Sequence, residues 1–301
     1  MNNQLISVIM STYNETIEEL NQSINSILTQ SHKDLEFIIV NDNPGNLILS
    51  EYLESLTDSR VKVYKNDKNM GLVDSLNIAL KYANGNYVAR MDADDISLPY
   101  RLEHQLNYLL SNNFDMVGSY LQLIDENGCI LKEVMKFPSS EKKIRKCISW
   151  GSCLPHPSWL LKKSVYDKLG GYREVPSCED YDFILRALVS KDFRLGNIPE
   201  VCLKYRVRNK GISKSNKYTQ YLLTKFLSKN YNENIIASKE DIDCYLNSNR
   251  FASDVNNYKA YNALKKQIKN ISILNMLTLL KNRYFYYDII EKFYLKYREY
   301  E

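Results

Sequence analysis

The sequence predicts an α/β protein whose first hundred residues form a parallel, doubly wound sheet. Short apolar runs alternate there with amphipathic stretches, a pattern typical of strand–helix–strand units. Polar residues directly follow three of the apolar runs, at the edge where such sheets bind ligands. The 301-residue chain is 44% hydrophobic and 25% charged, which is an ordinary globular composition and excludes a disordered or collagen-like chain.

The spacing of apolar residues predicts the elements in order. Before residue 92 it predicts strands at residues 5–10, 35–40, 61–64 and 87–91, and helices at residues 17–28, 47–56 and 72–82. Beyond residue 100 the pattern is mixed, with a helix at 100–110, a strand at 116–124, its hairpin partner at 129–136 and a helix at 180–189. After about residue 212 the spacing is helical, so a helical C-terminal region is expected.

No feature of the sequence indicates export or a membrane span. The N-terminus lacks a basic region followed by an apolar core and a cleavage site, so no signal peptide is expected. No apolar run approaches the roughly 20 residues of a spanning helix. The six cysteines contain no CxxC pair, which favours free thiols over a zinc or redox motif. A cytoplasmic protein is expected.

The charge of the chain is unevenly distributed. Its net charge of +4 is too small to indicate nucleic-acid binding. Residues 214–301 nevertheless hold 15 Lys and Arg, 9 Asp and Glu, and 12 of the 24 tyrosines. This region fits a helical lid or acceptor domain, a patch for an anionic membrane surface, a helical pack against the body, or a homodimer interface.

Three carboxylates, Asp92, Asp94 and Asp95, follow the predicted fourth strand. A divalent cation, Mg²⁺ or Mn²⁺, held by one or two of them and by substrate phosphates would offset their repulsion. A solvated loop or a helix N-cap is the alternative. Thr12 and Asp42 follow the first two strands, so these positions should converge at one sheet edge. No glycine-rich phosphate loop follows the first strand, which disfavours a dinucleotide fold or a P-loop kinase.

Several segments, in this order, resemble family 2 glycosyltransferases, which have the GT-A fold. Residues 8–15 (VIMSTYNE), 39–42 (IVND), 69–71 (NxG) and 91–95 (MDADD) resemble the nucleotide-sugar half. Residues 170–173 (GGYR) and 179–182 (EDYD) resemble the acceptor half. The motifs are individually loose, but their order and spacing are specific. The resemblance is to members that build bacterial capsule or cell-surface polysaccharides.

The resemblance implies a domain organisation and an activity. A GT-A catalytic domain would span residues 1–213, with the nucleotide-sugar half at 1–98 and the acceptor half at 99–213, before the helical region at 214–301. The activity would be inverting, metal-dependent transfer from a UDP-sugar to a hydroxyl of a glycan or polyprenyl-diphosphate-linked acceptor, giving a β-glycosidic bond. The alternatives are a nucleotidyltransferase, which would normally carry a basic glycine-rich loop after the first strand, and a non-catalytic nucleotide-sugar-binding relative.

On the donor side, the resemblance gives roles to residues in each matched segment. Asp42 would accept a hydrogen bond from the base, and Asp92 would touch the ribose or the cation. Asp94 would hold the cation that bridges the phosphates, and Asp95 would support the donor sugar. The other residues implied around the uridine are Thr12, Tyr13, Glu15, Asn69 and Gly71.

On the acceptor side, the resemblance makes Asp180 the general base, with Glu179 beside it. Many relatives have a His that helps to bind the metal or diphosphate where this chain has Arg208. Arg206 and Arg208 could instead neutralise the leaving diphosphate directly, since a guanidinium matches phosphate geometry. His156, which lies between two prolines, could reach the diphosphate or the acceptor, and a structural role is the alternative.

Overall fold

A mixed β-sheet forms the centre of the protein in a computed structural model that describes residues 4–208, 216–266 and 273–299. The expected domain boundary at residue 213 lies outside these ranges. The nine described strands are β1 (Ile6–Thr12), β2 (Leu35–Asn41), β3 (Val61–Lys65), β4 (Tyr87–Arg90), β5 (Ile96–Ser97), β6 (Met116–Ile124), β7 (Ile130–Met135), β8 (Leu160–Lys162) and β9 (Leu195–Arg206). They lie in the order β3-β2-β1-β4-β8-β6-β9-β5, and β7 pairs with β6.

Helices cover both faces of this sheet and continue beyond it. Those preceding residue 209 are α1 (Ile17–Leu28), α2 (Leu47–Glu54), α3 (Leu72–Tyr82), α4 (Arg101–Ser111), α5 (Glu141–Cys147), α6 (Lys163–Leu169) and α7 (Glu179–Ser190). The C-terminal ones are α8 (Lys217–Asn232), α9 (Lys239–Leu246), α10 (Asn249–Lys266), α11 (Ile273–Lys281) and α12 (Arg283–Glu299). The helical C-terminal region is thus confirmed for the described residues.

The sheet changes character at β4. Strands β3, β2, β1 and β4 are parallel, whereas β8 is antiparallel to both β4 and β6. The parallel half confirms the strand–helix alternation seen in the sequence. Along the chain the sheet grows outward from β1 to β3 and then returns to β4 on the other side of β1. The carboxyl ends of β1, β2 and β4 therefore meet at a topological switch point, where ligands bind in such folds.

Two apolar cores lie on opposite faces of the sheet. The alternation of β1 separates them: Ile9 belongs to one core, and Val8 and Met10 belong to the other. Helices α8 and α9 complete the first core through Leu223 and Ile242, both buried. The start of the C-terminal region is therefore part of the packing of the sheet-containing body.

The remaining C-terminal helices form a small tyrosine-rich core. Tyr261 and Tyr284 are buried there with Leu222 and Leu279, and Tyr221 stacks on Tyr258 at 4.2 Å between ring centroids. Of the alternatives for residues 214–301, helical packing against the body accounts for α8 and α9 and for many of the tyrosines. In the described ranges, no helix has the length and apolar character needed to cross a bilayer.

Candidate active site

Asp42, at the end of β2, organises the loop that precedes α3. Its buried carboxylate accepts hydrogen bonds from Asn66 Nδ2 at 2.7 Å, from the Met70 N–H at 2.7 Å and from the Gly71 N–H at 2.9 Å. Gly71 has a φ of +85°, which favours glycine, and its N–H also donates to Asn69 Oδ1 at 3.0 Å. The structure brings Asp42, Asn69 and Gly71 together, and Asp42 Oδ2 keeps a lone pair for a ligand.

The turn after β1 lies beside this loop. The Asp42 N–H donates to the Thr12 carbonyl at 2.9 Å, which joins the ends of β1 and β2. Glu15 Oε2 accepts from Thr12 Oγ1 at 2.7 Å and from the Tyr13 N–H at 2.8 Å. Glu15 therefore holds its own turn, while the Tyr13 side chain is 40% exposed at the sheet edge.

The three carboxylates after β4 lie in different environments. Asp92 is partly exposed and pairs with Arg90. Burial and repulsion from Asp92 raise the pKa of Asp94 to about 6, although the neighbouring Arg208 lowers it. Asp95 is fully buried, and burial together with Asp92 and Asp94 holds its pKa well above the usual range. Asp95 Oδ1 accepts from the Arg206 N–H at 2.8 Å, whereas its Oδ2 has no hydrogen-bond partner in the part of the chain that the structure describes.

This donor set fits a divalent cation. It presents an excess of crowded carboxylate oxygens, the ligands that Mg²⁺ and Mn²⁺ prefer. Among the described residues, no three His, Cys, Asp or Glu side chains are grouped so that they could hold a metal ion on their own. Asp94 stays the predicted protein ligand of such a cation.

The two arginines after β9 differ in their surroundings. The buried Arg206 guanidinium donates to the carbonyls of Asp94, Asp125 and Glu126 and to Gln22 Oε1. These partners use almost all of its N–H groups, and its role on the diphosphate stays a prediction. Its task is to fold the acidic loop onto β9.

Arg208 remains suited to a phosphate. Its Nε donates to Asp94 Oδ2 at 2.6 Å, and its Nη2 lies 3.1 Å from Glu19 Oε2. The side chain is 29% exposed, so part of it is accessible to a ligand. It stands at the position where the resemblance places a metal-binding His, and it contacts the predicted cation ligand directly.

Asp180 and Glu179 form an acid pair at the first turn of α7. Burial raises the pKa of Asp180, although the Tyr181 N–H donates to its Oδ1 at 2.7 Å. Burial and the Asp180 charge raise the pKa of Glu179 to about 7. Asp92 raises the pKa of both groups, so the pair lies near the acidic loop. Raised carboxylate pKa values near neutral pH are typical of groups that exchange protons.

The next acidic residue in the same turn has a structural role. The buried Asp182 pairs with Arg173 and, at 2.8 Å, with Arg186. Arg186 also donates to the carbonyls of Leu169 and Gly171 at 2.7 and 2.8 Å. This network anchors the Gly170–Arg173 segment to α7.

His156 is buried, which supports the structural alternative for it. Its Nε2 lies 2.8 Å from the Tyr172 hydroxyl, which is in turn 2.8 Å from the Tyr166 hydroxyl. Burial and the nearby Arg90 hold the pKa of His156 well below its usual range, so the ring is neutral.

Arg90 is the residue of this site that sequence reasoning missed. It is 2% exposed at the end of β4 and pairs with Asp92. Its charge also lowers the pKa values of Glu179 and Asp180. The signal was present, since an arginine within an apolar strand two residues before an acidic cluster requires a partner.

The comparisons with known proteins agree with this geometry. The family model "Glycosyl transferase family 2" matches residues 7–170, more than half of the chain. The O-antigen biosynthesis glycosyltransferase WbnJ of Escherichia coli is 38% identical over 232 residues, which cover 75% of this chain and 90% of that protein. A second Escherichia coli relative, UDP-Glc:alpha-D-GlcNAc-diphosphoundecaprenol beta-1,3-glucosyltransferase WfgD, is 29% identical over 222 residues, which cover 73% and 83% of the two chains.

A solved structure shares the fold at low sequence identity. The S. aureus TarS fragment 1–349 in complex with UDP-GlcNAc matches with a TM-score of 0.60 and 18% identity, covering 92% of this chain and 79% of that chain. The expected GT-A fold is therefore confirmed. The protein is a glycosyltransferase, and it belongs to glycosyltransferase family 2. Its relatives include proteins of polysaccharide biosynthesis.

Proposed function

We propose that the protein transfers a sugar from a UDP-sugar to a glycan hydroxyl with inversion, in a reaction that depends on a divalent cation. The observation that carries this proposal is the pairing of two acidic groups at one sheet edge. One is the crowded loop of Asp92, Asp94 and Asp95, and the other is the pair formed by Glu179 and Asp180 on α7. The first suits a diphosphate with its cation, and the second suits proton removal.

Each residue has a distinct task in this mechanism. Asp42 and the 69–71 loop bind the uracil, and Thr12 and Tyr13 border the nucleoside. Bound at Asp94, Mg²⁺ or Mn²⁺ would offset the charge that develops on the leaving diphosphate. Arg208 adds a second positive charge there.

Asp180 takes the proton of the acceptor hydroxyl as that oxygen attacks the anomeric carbon. The attacking oxygen approaches opposite the leaving diphosphate, through an oxocarbenium-like transition state. An α-linked donor therefore gives a β-linked product. Asp95 Oδ2, buried and without a partner among the described residues, is suited to accept from a donor-sugar hydroxyl.

The proposed acceptor is a lipid-linked glycan, as the name of the relative WfgD describes for that protein. The outward face of α12 supports a membrane-surface location for that reaction. Tyr286, Ile289 and Phe293 are 51%, 50% and 69% exposed and lie opposite the buried Tyr284. The net positive charge of residues 214–301 favours anionic lipid over a second copy of the same basic region.

Vesicle co-sedimentation tests the membrane surface. Full-length protein and a Tyr286→Ser, Ile289→Ser, Phe293→Ser variant are mixed with vesicles containing anionic phospholipid. A truncation after residue 213 is unsuitable because it would strip α8 from the core. Weaker binding by the variant supports the proposal. Equal binding contradicts it, as does a dimer that the variant abolishes while vesicle binding is unchanged.

A donor screen tests the proposed activity. UDP-sugars are incubated with Mn²⁺ or Mg²⁺, with a chelator as control, and the nucleotide product is identified. Release of UDP that needs the cation is the expected result. A nucleotidyltransferase would instead exchange pyrophosphate, and a non-catalytic relative would bind the donor without turnover. The anomeric proton coupling in the transferred product then reports inversion or retention.

A further inference from the structure

Arg90 is a buried cation between two groups of carboxylates. On β4 it shares a face with Val88. That face packs on the core that contains Tyr172 and, at the start of α7, Cys178 and Tyr181. Ala89 and Met91 point to the opposite core. The Arg90 side chain thus leaves the sheet beneath the α7 N-terminus, while its guanidinium pairs with Asp92 in the acidic loop.

Two other carboxylates near the site have arginines of their own. Asp94 has Arg208, and Asp182 has Arg173 and Arg186. Among the described residues, neither Glu179 nor Asp180 forms an ion pair, and the cation that lowers the pKa of each is Arg90. Within the same residues, the buried Arg90 Nε has no hydrogen-bond partner, so the guanidinium is not used up by Asp92.

We propose that Arg90 is a positioning residue that links the donor-side carboxylate Asp92 to the acid pair of Glu179 and Asp180. The inference rests on the proposed function. With the guanidinium in place, negative charge at Asp180 is compensated before the acceptor arrives. Because Asp92 shares the same guanidinium, the donor side and the base become electrostatically coupled.

Other groups near Arg90 set the background for this coupling. The groups that interact with it electrostatically are Asp92 and Asp95 after β4, Arg101 on α4, His156, Tyr166 on α6, Tyr172, Glu179 and Asp180 at the start of α7, and Tyr205 on β9. His156 is neutral, and burial raises the pKa values of Tyr166, Tyr172 and Tyr205, so these phenols are neutral as well. Of the two arginines, Arg90 is the one that pairs with a carboxylate of the site.

The test is the pH dependence of kcat at saturating donor and cation. In Arg90→Gln, the acidic limb of the profile should move up by about one pH unit, because a compensating charge near Asp180 is lost. Arg90→Lys keeps the positive charge, so its acidic limb should lie close to that of the wild type. The matched control is Arg186→Gln, which removes a buried guanidinium on α7 that is paired with Asp182. It should lower the melting temperature and leave the limb in place.

Each outcome decides the inference. An unshifted Arg90→Gln profile overturns it, and so does an equal shift in Arg186→Gln. If Arg90→Gln does not fold, Asp92→Asn replaces it: releasing Arg90 toward the acid pair should move the limb down, and an unmoved or raised limb overturns the inference. A wild-type protein that transfers no sugar would contradict the proposed function instead, so the two failures are distinguishable.

Discussion

Replacing Glu179 with glutamine should make the protein more stable at alkaline pH and not at acidic pH. Burial and the neighbouring Asp180 raise the pKa of Glu179 from 4.5 to about 7. A carboxyl whose pKa is higher in the folded state contributes stability below its unfolded pKa and loses it as pH rises through the folded pKa. The wild type therefore loses this stability between about pH 4.5 and 7, whereas a glutamine does not ionise and loses none.

Two effects compete at this position, and their sizes decide the sign. A pKa shift of that size corresponds to about 3 kcal/mol of unfolding free energy at pH 8. Coupling to Asp180 reduces this cost to the order of 2 kcal/mol. A negative charge at a helix N-terminus contributes about 0.3–1 kcal/mol in the opposite sense. The burial cost is larger, so Glu179→Gln should exceed the wild type by about 1–2 kcal/mol at pH 8.

Urea unfolding at pH 4.5, 6 and 8 measures this difference. The matched control is Glu174→Gln, since Glu174 is exposed in the segment just before α7 and its replacement should change stability by less than about 0.5 kcal/mol. A Glu179→Gln variant that is less stable than the wild type by the same amount at all three pH values would refute the reasoning. It would mean that the helix terminus dominates and that the acid pair is not strained.

Two further predictions concern donor binding. Asp42→Asn should lower stability by about 1–3 kcal/mol and raise the KM for the donor. One amide oxygen cannot accept all three N–H bonds that Asp42 accepts, and the new NH₂ group would face another N–H donor. An unchanged melting temperature and an unchanged KM would contradict this. Cation-dependent UDP-sugar binding should weaken about tenfold from pH 7 to pH 5, since Asp94 has a pKa of about 6 and the cation needs its ionised form. Calorimetry with Mn²⁺ or with a chelator measures this affinity at both pH values. The control is Asp94→Asn, which should show no cation dependence. Equal affinity of the wild type at pH 7 and pH 5 would count against Asp94 as the ligand.

The parallel half of the fold could be predicted closely from local pattern. The helices at residues 17–28 and 72–82 begin and end where the apolar spacing indicates. The acidic loop could be found because polar residues after buried strands meet at one edge. These features depend on neighbours in sequence, which a single chain displays directly.

The second half of the sheet was not predictable in the same way. Strand β8 has three residues, too few to show alternation. In β9, Pro199 and Glu200 interrupt the pattern, and the pairing with β6 shifts register there, between Ile198 and Val201. For Arg206, the sequence shows an arginine near a predicted diphosphate, but not the carbonyls that its guanidinium contacts in the fold.

Asp180→Asn tests the central claim most directly. Donor binding and sugar transfer are measured on the same preparation, using the UDP-sugar and cation that support wild-type turnover. Because asparagine cannot take the acceptor proton, transfer should be abolished while calorimetric UDP affinity stays near the wild-type value. Near wild-type turnover in the variant would show that Asp180 is not the base and would contradict the mechanism.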